Sequence, residues 1–178
     1  NSNKSKSGFQ PFHKPKVKIK KEVVPMNLTL NSNDLSDADK WWDNLNVKFD
    51  GKPRICFVGS HSQAFDMQPI YEAALYFQSI NKPCDFVICG DGPMHDKWKA
   101  MMKDLPNVYF PGWIDRAKTK SLASRSIATI APYKNLENFV YNLPNKVIDS
   151  LSLGLPILSP LMGEVNKMIN EEKVGLCY

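Results

Sequence analysis

Apolar and polar positions alternate in a regular order from residue 53 onward, where short apolar runs are separated by segments with helical spacing. The apolar runs predict strands at 54–60, 84–90, 107–112, 127–132 and 156–160. The segments that follow them predict helices at about 67–80, 93–103, 115–124, 144–153 and 163–170, before a final "GLCY". Apolar strands joined through helices over short connections predict an α/β fold with a parallel sheet covered on both faces.

The helix predicted at 144–153 carries an unusual charge at its start. Val147, Ile148 and Leu151 are spaced as one apolar face, and Gly154 ends the helix before a buried strand. Lys146 falls in the first turn, where a cation opposes the helix dipole and costs roughly 0.3–1 kcal/mol. One interpretation is that an anion binds there, and the other is a surface pair with Asp149 at i, i+3.

The first fifty residues have a different composition. They are rich in Lys, Asn and Ser, with "VKIKKEVVP" predicting a strand and "DLSDADKWWDNL" a capped helix. Trp41 and Trp42 predict that this helix packs on a neighbour. We therefore divide the chain into residues 1–50, a basic tail with a strand and a linker helix, and the domain 51–178. A chain that starts with Asn in such a tail is interpreted as a piece of a longer protein.

Charge is concentrated in the tail. The 178 residues are 43% hydrophobic and 23% charged, which is ordinary for a globular protein, with a net charge of +5. Residues 1–21 hold seven of the 23 basic residues and no acid, so the remainder is nearly neutral. The tail is either a solvated linker or a segment attracted to anionic lipid. Its aromatic residues are too few to predict a nucleic-acid platform.

Membrane and redox chemistry are constrained by the same composition. No apolar run approaches the roughly 18 residues of a membrane span, and no signal-peptide pattern is present. The four cysteines lie in apolar runs without CxxC spacing, which predicts buried free thiols in a reducing cytoplasm. The histidines at 13, 61 and 95 have no metal-ligand spacing, and no Ser/His/Asp or Cys/His motif is present.

Candidate site residues follow the strand ends, because ligands bind outside the carboxyl ends of parallel strands. Gly59 allows close approach of the backbone to a ligand, whereas His61 beside it is interpreted as either a solvated or a functional loop residue. The turn "GDGP" after the second strand lacks the third glycine of a dinucleotide motif, and its Pro93 suits a first helical position. Glu137, Lys146 and Asp149 all follow the fourth strand.

Four segments in order carry a resemblance to a known family. "CDFVICGDGP", "NVYFPGWID", "NLPNKVIDSLSLGLPILS" and "GEVNKMINEEKVGLCY" resemble the C-terminal half of family 4 glycosyltransferases, over about residues 54–178. "VVPMNL" resembles the hinge strand that enters that half. The resemblance implies a Rossmann-like parallel sheet with helices on both faces, which is one half of a GT-B fold.

The resemblance also implies an activity. Such enzymes transfer a sugar from a nucleotide-diphosphate sugar with retention of anomeric configuration, without a metal or other cofactor. This half would hold the donor, while a sugar or lipid-linked acceptor would bind an N-terminal domain missing from the sequence. A role in bacterial polysaccharide or glycoconjugate synthesis is expected, in the cytoplasm with peripheral contact to the inner face of the membrane. A non-catalytic nucleotide-sugar-binding module and a sugar-nucleotide epimerase of similar architecture remain alternatives.

Site residues are carried over by position. Trp113, Ile114 and Arg116 would line the base pocket, and Asp149 would bind the ribose hydroxyls in place of a usual Glu. Amides around Leu143 and Asn145 would face the diphosphate near Gly59.

The sequence departs from the family in two places. The first of the family's two glutamates would fall at Tyr141, so Glu137 is predicted to act from a longer loop. The basic pair after the first strand is absent from "GSHSQAFDM", and Lys146 is predicted to replace its charge. Glu137 and Lys146 are thus the predicted catalytic residues.

Overall fold

The computed structural model describes residues 32–178, and within them it has six strands and seven helices. The strands are β1 Arg54–Val58, β2 Asp85–Cys89, β3 Val108–Gly112, β4 Ala128–Ile130, β5 Ile157–Ser159 and β6 Gly175–Cys177. The helices are α1 Ser32–Asn44, α2 Gln68–Ser79, α3 His95–Met101, α4 Arg116–Ser124, α5 Glu137–Val140, α6 Asn145–Ser152 and α7 Glu164–Glu172. The predicted strands and helices therefore form, with bounds that differ by two residues or fewer at either end; most are shorter than predicted, whereas α7 extends to Glu172.

The strands form one parallel sheet in the order β3-β2-β1-β4-β5-β6. β1 lies between β2 and β4, with Cys56 opposite both Val87 and Thr129. The strand order reverses at this point, so the connections on either side diverge and leave a crevice at the carboxyl edge. The Rossmann-like α/β architecture predicted from the sequence is confirmed.

Alternation along the strands builds a core on each face of the sheet. Phe57, Phe86 and Ile88 belong to the larger apolar cluster, whereas their neighbours Cys56 and Val87 belong to a second cluster. Fully burying one such large apolar side chain contributes about 1.5–3 kcal/mol. Cys56, Cys84 and Cys89 are buried free thiols, as the sequence predicted, while Cys177 is half-buried.

Helix α1 packs against α4 through a buried tryptophan and a buried arginine at the end of α4. Trp42 is fully buried, and its Nε1 donates to the Lys118 carbonyl oxygen at 2.9 Å. The Arg125 guanidinium donates to Asp39 at 2.9 Å and to Asp43 at 2.7 Å. The prediction that the tryptophan-bearing helix packs on a neighbour is confirmed. The strand predicted in "VKIKKEVVP", the hinge resemblance of "VVPMNL" and the basic tail lie outside the described residues.

Three local predictions were wrong. Ile148 is 51% exposed, and the buried positions of α6 are Val147 and Ser150, with Leu151 partly buried, because i, i+3 and i+4 share one face of a helix. Pro93 lies in a turn, and α3 begins at His95. Within the long loop after β4, residues 137–140 form the short helix α5, which the polar pattern had not indicated.

Among residues 32–178, no helix has the length and apolar character needed to span a membrane.

Candidate donor-binding site

A cavity of about 970 Å³ lies between α4 and α6, beside the ends of β1 and β4. Five of the residues predicted for the site line it: Trp113, Ile114, Arg116, Lys146 and Asp149. They come from two segments separated by about thirty residues of sequence, and the reversal of strand order brings them together. The size is within the roughly 300–1,000 Å³ typical of small-molecule sites.

The first wall of the cavity is the turn after β3 and the start of α4. Trp113 is 74% exposed at the cavity mouth, whereas Ile114 is buried against the second core cluster. Asp115 caps α4 by accepting a hydrogen bond from the Lys118 backbone N–H at 2.9 Å, which is the main cause that lowers the pKa of Asp115. This cap fixes where the helix starts and therefore places Arg116 in its first turn on the cavity side.

The sequence prediction missed the rest of this helical wall. Arg116, Thr119, Lys120 and Ala123 all line the cavity, and their spacing of i, i+3, i+4 and i+7 is one face of α4. Helical periodicity counted from Arg116 would have identified Thr119 and Lys120. The wall therefore adds a second exposed cation to the site.

Lys146 turns its side chain toward the sheet instead of toward the free amides at the start of α6. Its Nζ donates to the carbonyl oxygen of Val58, the last residue of β1. The same nitrogen lies 4.4 Å from the centroid of the Phe57 ring and 5.7 Å from that of Phe65. A methyl group on Gly59 would collide with this amine, so glycine is required after β1 to let the lysine reach the strand end.

The charge of Lys146 has little compensation in this position. Burial lowers the pKa of Lys146 to about 8, and the negative charge of Asp149 acts in the opposite direction. Among the ion pairs formed by residues 32–178, none includes Lys146, so the surface pair with Asp149 is not formed. A half-desolvated cation held by one carbonyl and an aromatic face is suited to receive an anion.

Asp149 is the carboxylate that faces the cavity from α6. It is exposed, and together with burial its charge raises the pKa of Tyr133. On the inner side of the same helix, Ser150 lies 3.3 Å from the Thr129 hydroxyl and anchors α6 to β4. The carboxylate is therefore held on a fixed helix with its oxygens open to a ligand.

The other predicted site residues do not line the cavity. Glu137 is exposed at the start of α5, and Leu143 and Asn145 are exposed just before and at the start of α6. Gly59 contacts Lys146 from the β1 side. His61 is fully buried, which excludes its interpretation as a solvated loop residue.

A second cavity of about 630 Å³ opens at the amino edge of the sheet. Lys52, Asn81, Asp85 and Tyr109 are among the residues that line it, and none of the predicted site residues does. Among the described residues, no group of three or more His, Cys, Asp or Glu side chains is placed to hold a metal ion.

Comparison with known proteins decides the family. The family model described as glycosyl transferases group 1 matches residues 52–178. The chain belongs to the group 1 glycosyltransferases. The match covers the whole sheet, both helical walls of the cavity and all the predicted site residues.

Solved structures of glycosyltransferases share the fold. WaaG, a glycosyltransferase involved in lipopolysaccharide biosynthesis, aligns with 83% of this chain at a TM-score of 0.59 and 16% identity. Sucrose-phosphate synthase from Thermosynechococcus elongatus aligns with 80% of this chain at a TM-score of 0.56 and 18% identity. The catalytic domain of cholesterol-α-glucosyltransferase from Helicobacter pylori aligns with 71% of this chain at a TM-score of 0.52 and 17% identity. At these identities the likeness shows the fold, one half of a GT-B glycosyltransferase.

The chain spans only part of most of these proteins. It covers 38% of the WaaG chain, 35% of the sucrose-phosphate synthase chain and 77% of the cholesterol-α-glucosyltransferase domain. A separate local match is 62% identical over 50 residues to the tRNA uridine(34) hydroxylase of Pelagibacter ubique, covering 26% of this chain and 17% of that protein. A match to so small a part of the hydroxylase does not assign its activity to this chain.

Proposed function

We propose that this chain is the donor-binding domain of a retaining, metal-independent glycosyltransferase that uses a nucleotide-diphosphate hexose. The observation that carries the proposal is the cavity at the reversal of strand order, where Trp113, Lys146 and Asp149 face one space. An exposed aromatic ring, a cation and a carboxylate match the three parts of a nucleotide diphosphate. These parts are a base to stack on, phosphates to pair with, and a ribose diol to hydrogen-bond.

The diphosphate has two sources of positive potential at this site. Pro144, the N-cap of α6, provides no side-chain cap, and the positive end of this helix dipole favours an anion. The Lys146 amine reaches the neighbouring strand end from the same turn of helix. Together they would replace the family's basic pair, which is absent after β1.

Catalysis would rest on stabilising the leaving diphosphate as the bond to the sugar breaks. Lys146 supplies a charge in a partly desolvated site, where electrostatic stabilisation is strongest. Glu137 would act on the sugar from the α5 loop. The acceptor hydroxyl would be positioned by a domain outside this sequence, and positioning supplies about 7–11 kcal/mol of barrier reduction. The isolated chain is therefore expected to bind donor and transfer nothing.

The wider role follows from the family and its fold neighbours. WaaG takes part in lipopolysaccharide biosynthesis, and this supports a role for the present chain in bacterial polysaccharide or glycoconjugate assembly. Such acceptors are lipid-linked, so a cytoplasmic protein with its lysine-rich tail against the inner face of the membrane fits the proposal.

A thermal-shift screen of the purified chain against UDP-, GDP- and ADP-sugars tests donor binding. Ligand at about 100 times its dissociation constant stabilises by roughly 2.7 kcal/mol, a readily measured shift. We expect one nucleotide class to stabilise the chain, and the shift to be lost in Asp149→Ala but kept in Lys82→Ala, which alters the cavity at the amino edge. If no nucleotide sugar or nucleoside diphosphate shifts the transition, the proposal is wrong.

A second candidate function is nucleotide-sugar binding without turnover. It is favoured by the position of Glu137, which does not line the cavity, and by Tyr141 in the place of the family's first glutamate. Sugar transfer by the full-length protein, measured as radiolabelled product, separates the two. Transfer that is lost in Glu137→Gln supports the enzyme, whereas donor binding with no turnover supports the binding module.

A further inference from the structure

The loop after β1 and the start of α3 meet at two histidines, His61 and His95. His61 is fully buried three residues after Val58, the last residue of β1. Its ring is nearly parallel to that of His95, with an interplanar angle of 9° and a centroid distance of 5.0 Å. The two Nδ1 atoms lie 3.1 Å apart, within hydrogen-bond distance.

This contact accommodates one proton. When two Nδ1 atoms face each other, one must carry the hydrogen and the other must accept it. A single added proton leaves the bond intact, because the charged ring still donates its Nδ1–H to the neutral one; protonation of both rings sets two N–H donors against each other and breaks the bond. The His61 Nε2 is also buried, without a hydrogen-bond partner among residues 32–178, so the ring lacks an acceptor to stabilise an added charge.

The groups around the pair reinforce the neutral state. The Trp98 ring centroid is 4.6 Å from that of His61, and Phe57 and Phe110 flank it at 6.0 and 6.4 Å. Burial is the main cause that lowers the pKa of His61, and the charges of His95 and Lys146 lower it further. The Cys89 backbone and Asp91, whose carboxylate lies 3.9 Å from the His95 Nδ1, act in the opposite direction.

The same loop forms the surface on which Lys146 rests. The backbone N–H of His61 donates to the Asp91 carbonyl oxygen at 2.8 Å, and the His61 carbonyl oxygen accepts from the backbone N–H of Met94 at 3.0 Å. The Gly59 N–H donates to the Cys89 carbonyl at 3.0 Å. The segment 59–61 is thus held against the loop after β2, while the Lys146 amine contacts Gly59 and donates to Val58.

We propose that His61 and His95 form a proton-sensitive pair that positions the segment 59–61 beneath the Lys146 amine. Neutral, the pair holds the two loops together. Protonation of both rings breaks the contact, releases the segment and displaces Lys146. Because Lys146 contacts the diphosphate in the proposed function, acid then weakens donor binding, and this last step alone rests on that function.

The sign of the pH dependence follows from burial. The pKa of His61 is lowered from its ordinary 6.5, so the unfolded chain binds more protons than the folded chain below that pH. The stability contributed by the neutral pair is complete above about pH 6.5 and is lost as the pH falls through the lowered pKa.

Imidazole nitrogen NMR of the 178-residue chain without ligand tests the pair directly. We expect His61 to stay neutral below about pH 6.5, and the Gly59 amide signal to move with the same midpoint as the pair. His95→Asn keeps a hydrogen-bond donor near the place of the His95 Nδ1 and removes the neighbouring charge. The pH midpoints of the His61 titration and of the Gly59 signal should therefore both rise. His61→Leu should abolish the Gly59 titration. Should Leu prevent folding, the His95→Asn shift alone decides.

Two results would overturn the proposal. The first is a His61 that titrates at or above its ordinary pKa. The second is a Gly59 signal whose midpoint does not follow that of His61 in His95→Asn.

Donor affinity is measured separately, with UDP-glucose, GDP-mannose and ADP-glucose as probes, because their phosphodiesters keep a constant charge in this range. Below the pKa of His61, the dissociation constant should rise by up to about tenfold per pH unit, since the form with an uncharged His61 keeps the contact and binds donor. In His95→Asn the rise should begin at the higher pH given by its shifted midpoint. A flat profile alongside a titrating Gly59 refutes the link to donor binding. Absence of binding at every pH refutes the proposed function and leaves the NMR result standing.

Discussion

Lys146→Met removes the charge that the structure holds in a desolvated place while keeping a side chain of similar length. Burial lowers the Lys146 pKa from 10.5 to about 8, and each unit corresponds to about 1.36 kcal/mol between the two protonation states. The charged amine thus costs the folded chain roughly 3 kcal/mol relative to the unfolded chain at neutral pH. Methionine avoids this cost, so we expect the ligand-free variant to be more stable by up to about 3 kcal/mol.

The pH dependence separates this cause from a packing effect. Because the folded-state pKa is below the unfolded value, the unfolded chain binds more protons between about pH 8 and 10.5. The unfolding free energy of the parent should therefore rise through this window relative to that of Lys146→Met, and the two should converge above it. Lys120→Met is the matched control, because Lys120 lines the same cavity but is exposed, and it should run parallel to the parent.

Ligand binding should show the opposite effect of the same charge. Urea unfolding across pH measures the stabilities, and calorimetry measures the affinity for nucleoside diphosphates. Lys146→Met should weaken that affinity by about 1.5–3 kcal/mol, the scale of a hydrogen bond to a charged group. A nucleoside without phosphates should bind the variant and the parent equally. If Lys146→Met is less stable without ligand and binds the diphosphate as well as the parent does, the reasoning about Lys146 is refuted.

Three further predictions follow from other contacts. Asp149→Ala should weaken nucleotide affinity by about 1.5–3 kcal/mol with little change in folding, since the carboxylate is exposed, and unchanged calorimetric affinity would remove it from the site. Arg125→Met should lower the unfolding free energy by about 1.5–3 kcal/mol, because it removes the hydrogen bonds of a buried guanidinium to the half-exposed Asp39 and Asp43; a loss below 1 kcal/mol in urea would contradict this. Removing residues 1–21 should abolish salt-sensitive co-sedimentation with anionic vesicles, and equal binding of the truncated chain would show that the tail is only a linker.

The fold was predictable because its signals are repeated along the chain. The inner strands β2 and β4 are buried on both faces of the sheet, and the helices between the apolar runs are short. α5 was missed because its four residues have no apolar periodicity of their own. Ile148 was misplaced because an apolar residue next to a buried one was counted into the same face, although adjacent helical positions point about 100° apart.

The residues that form the site were predictable, whereas the directions of their side chains were less so. The family's motif order placed Trp113, Ile114 and Asp149, and they meet at one cavity. The direction of the Lys146 side chain was not predictable, because it depends on Gly59 leaving room beside a strand end that lies 88 residues earlier in sequence. The burial of His61 likewise depends on a loop contributed by the next strand.

The central claim is that a nucleotide sugar binds between α4 and α6, and mapping of backbone amide NMR shifts during titration with the stabilising nucleotide sugar tests it most directly. We expect saturable shifts concentrated at Gly112–Arg116 and at Asn145–Asp149, with amides around the second cavity, such as Lys82 and Asn107, unchanged. The shifts should be weakened together in Lys146→Met and Asp149→Ala. Saturable shifts confined to the amino edge of the sheet, or no saturable shifts at either cavity, would contradict the account.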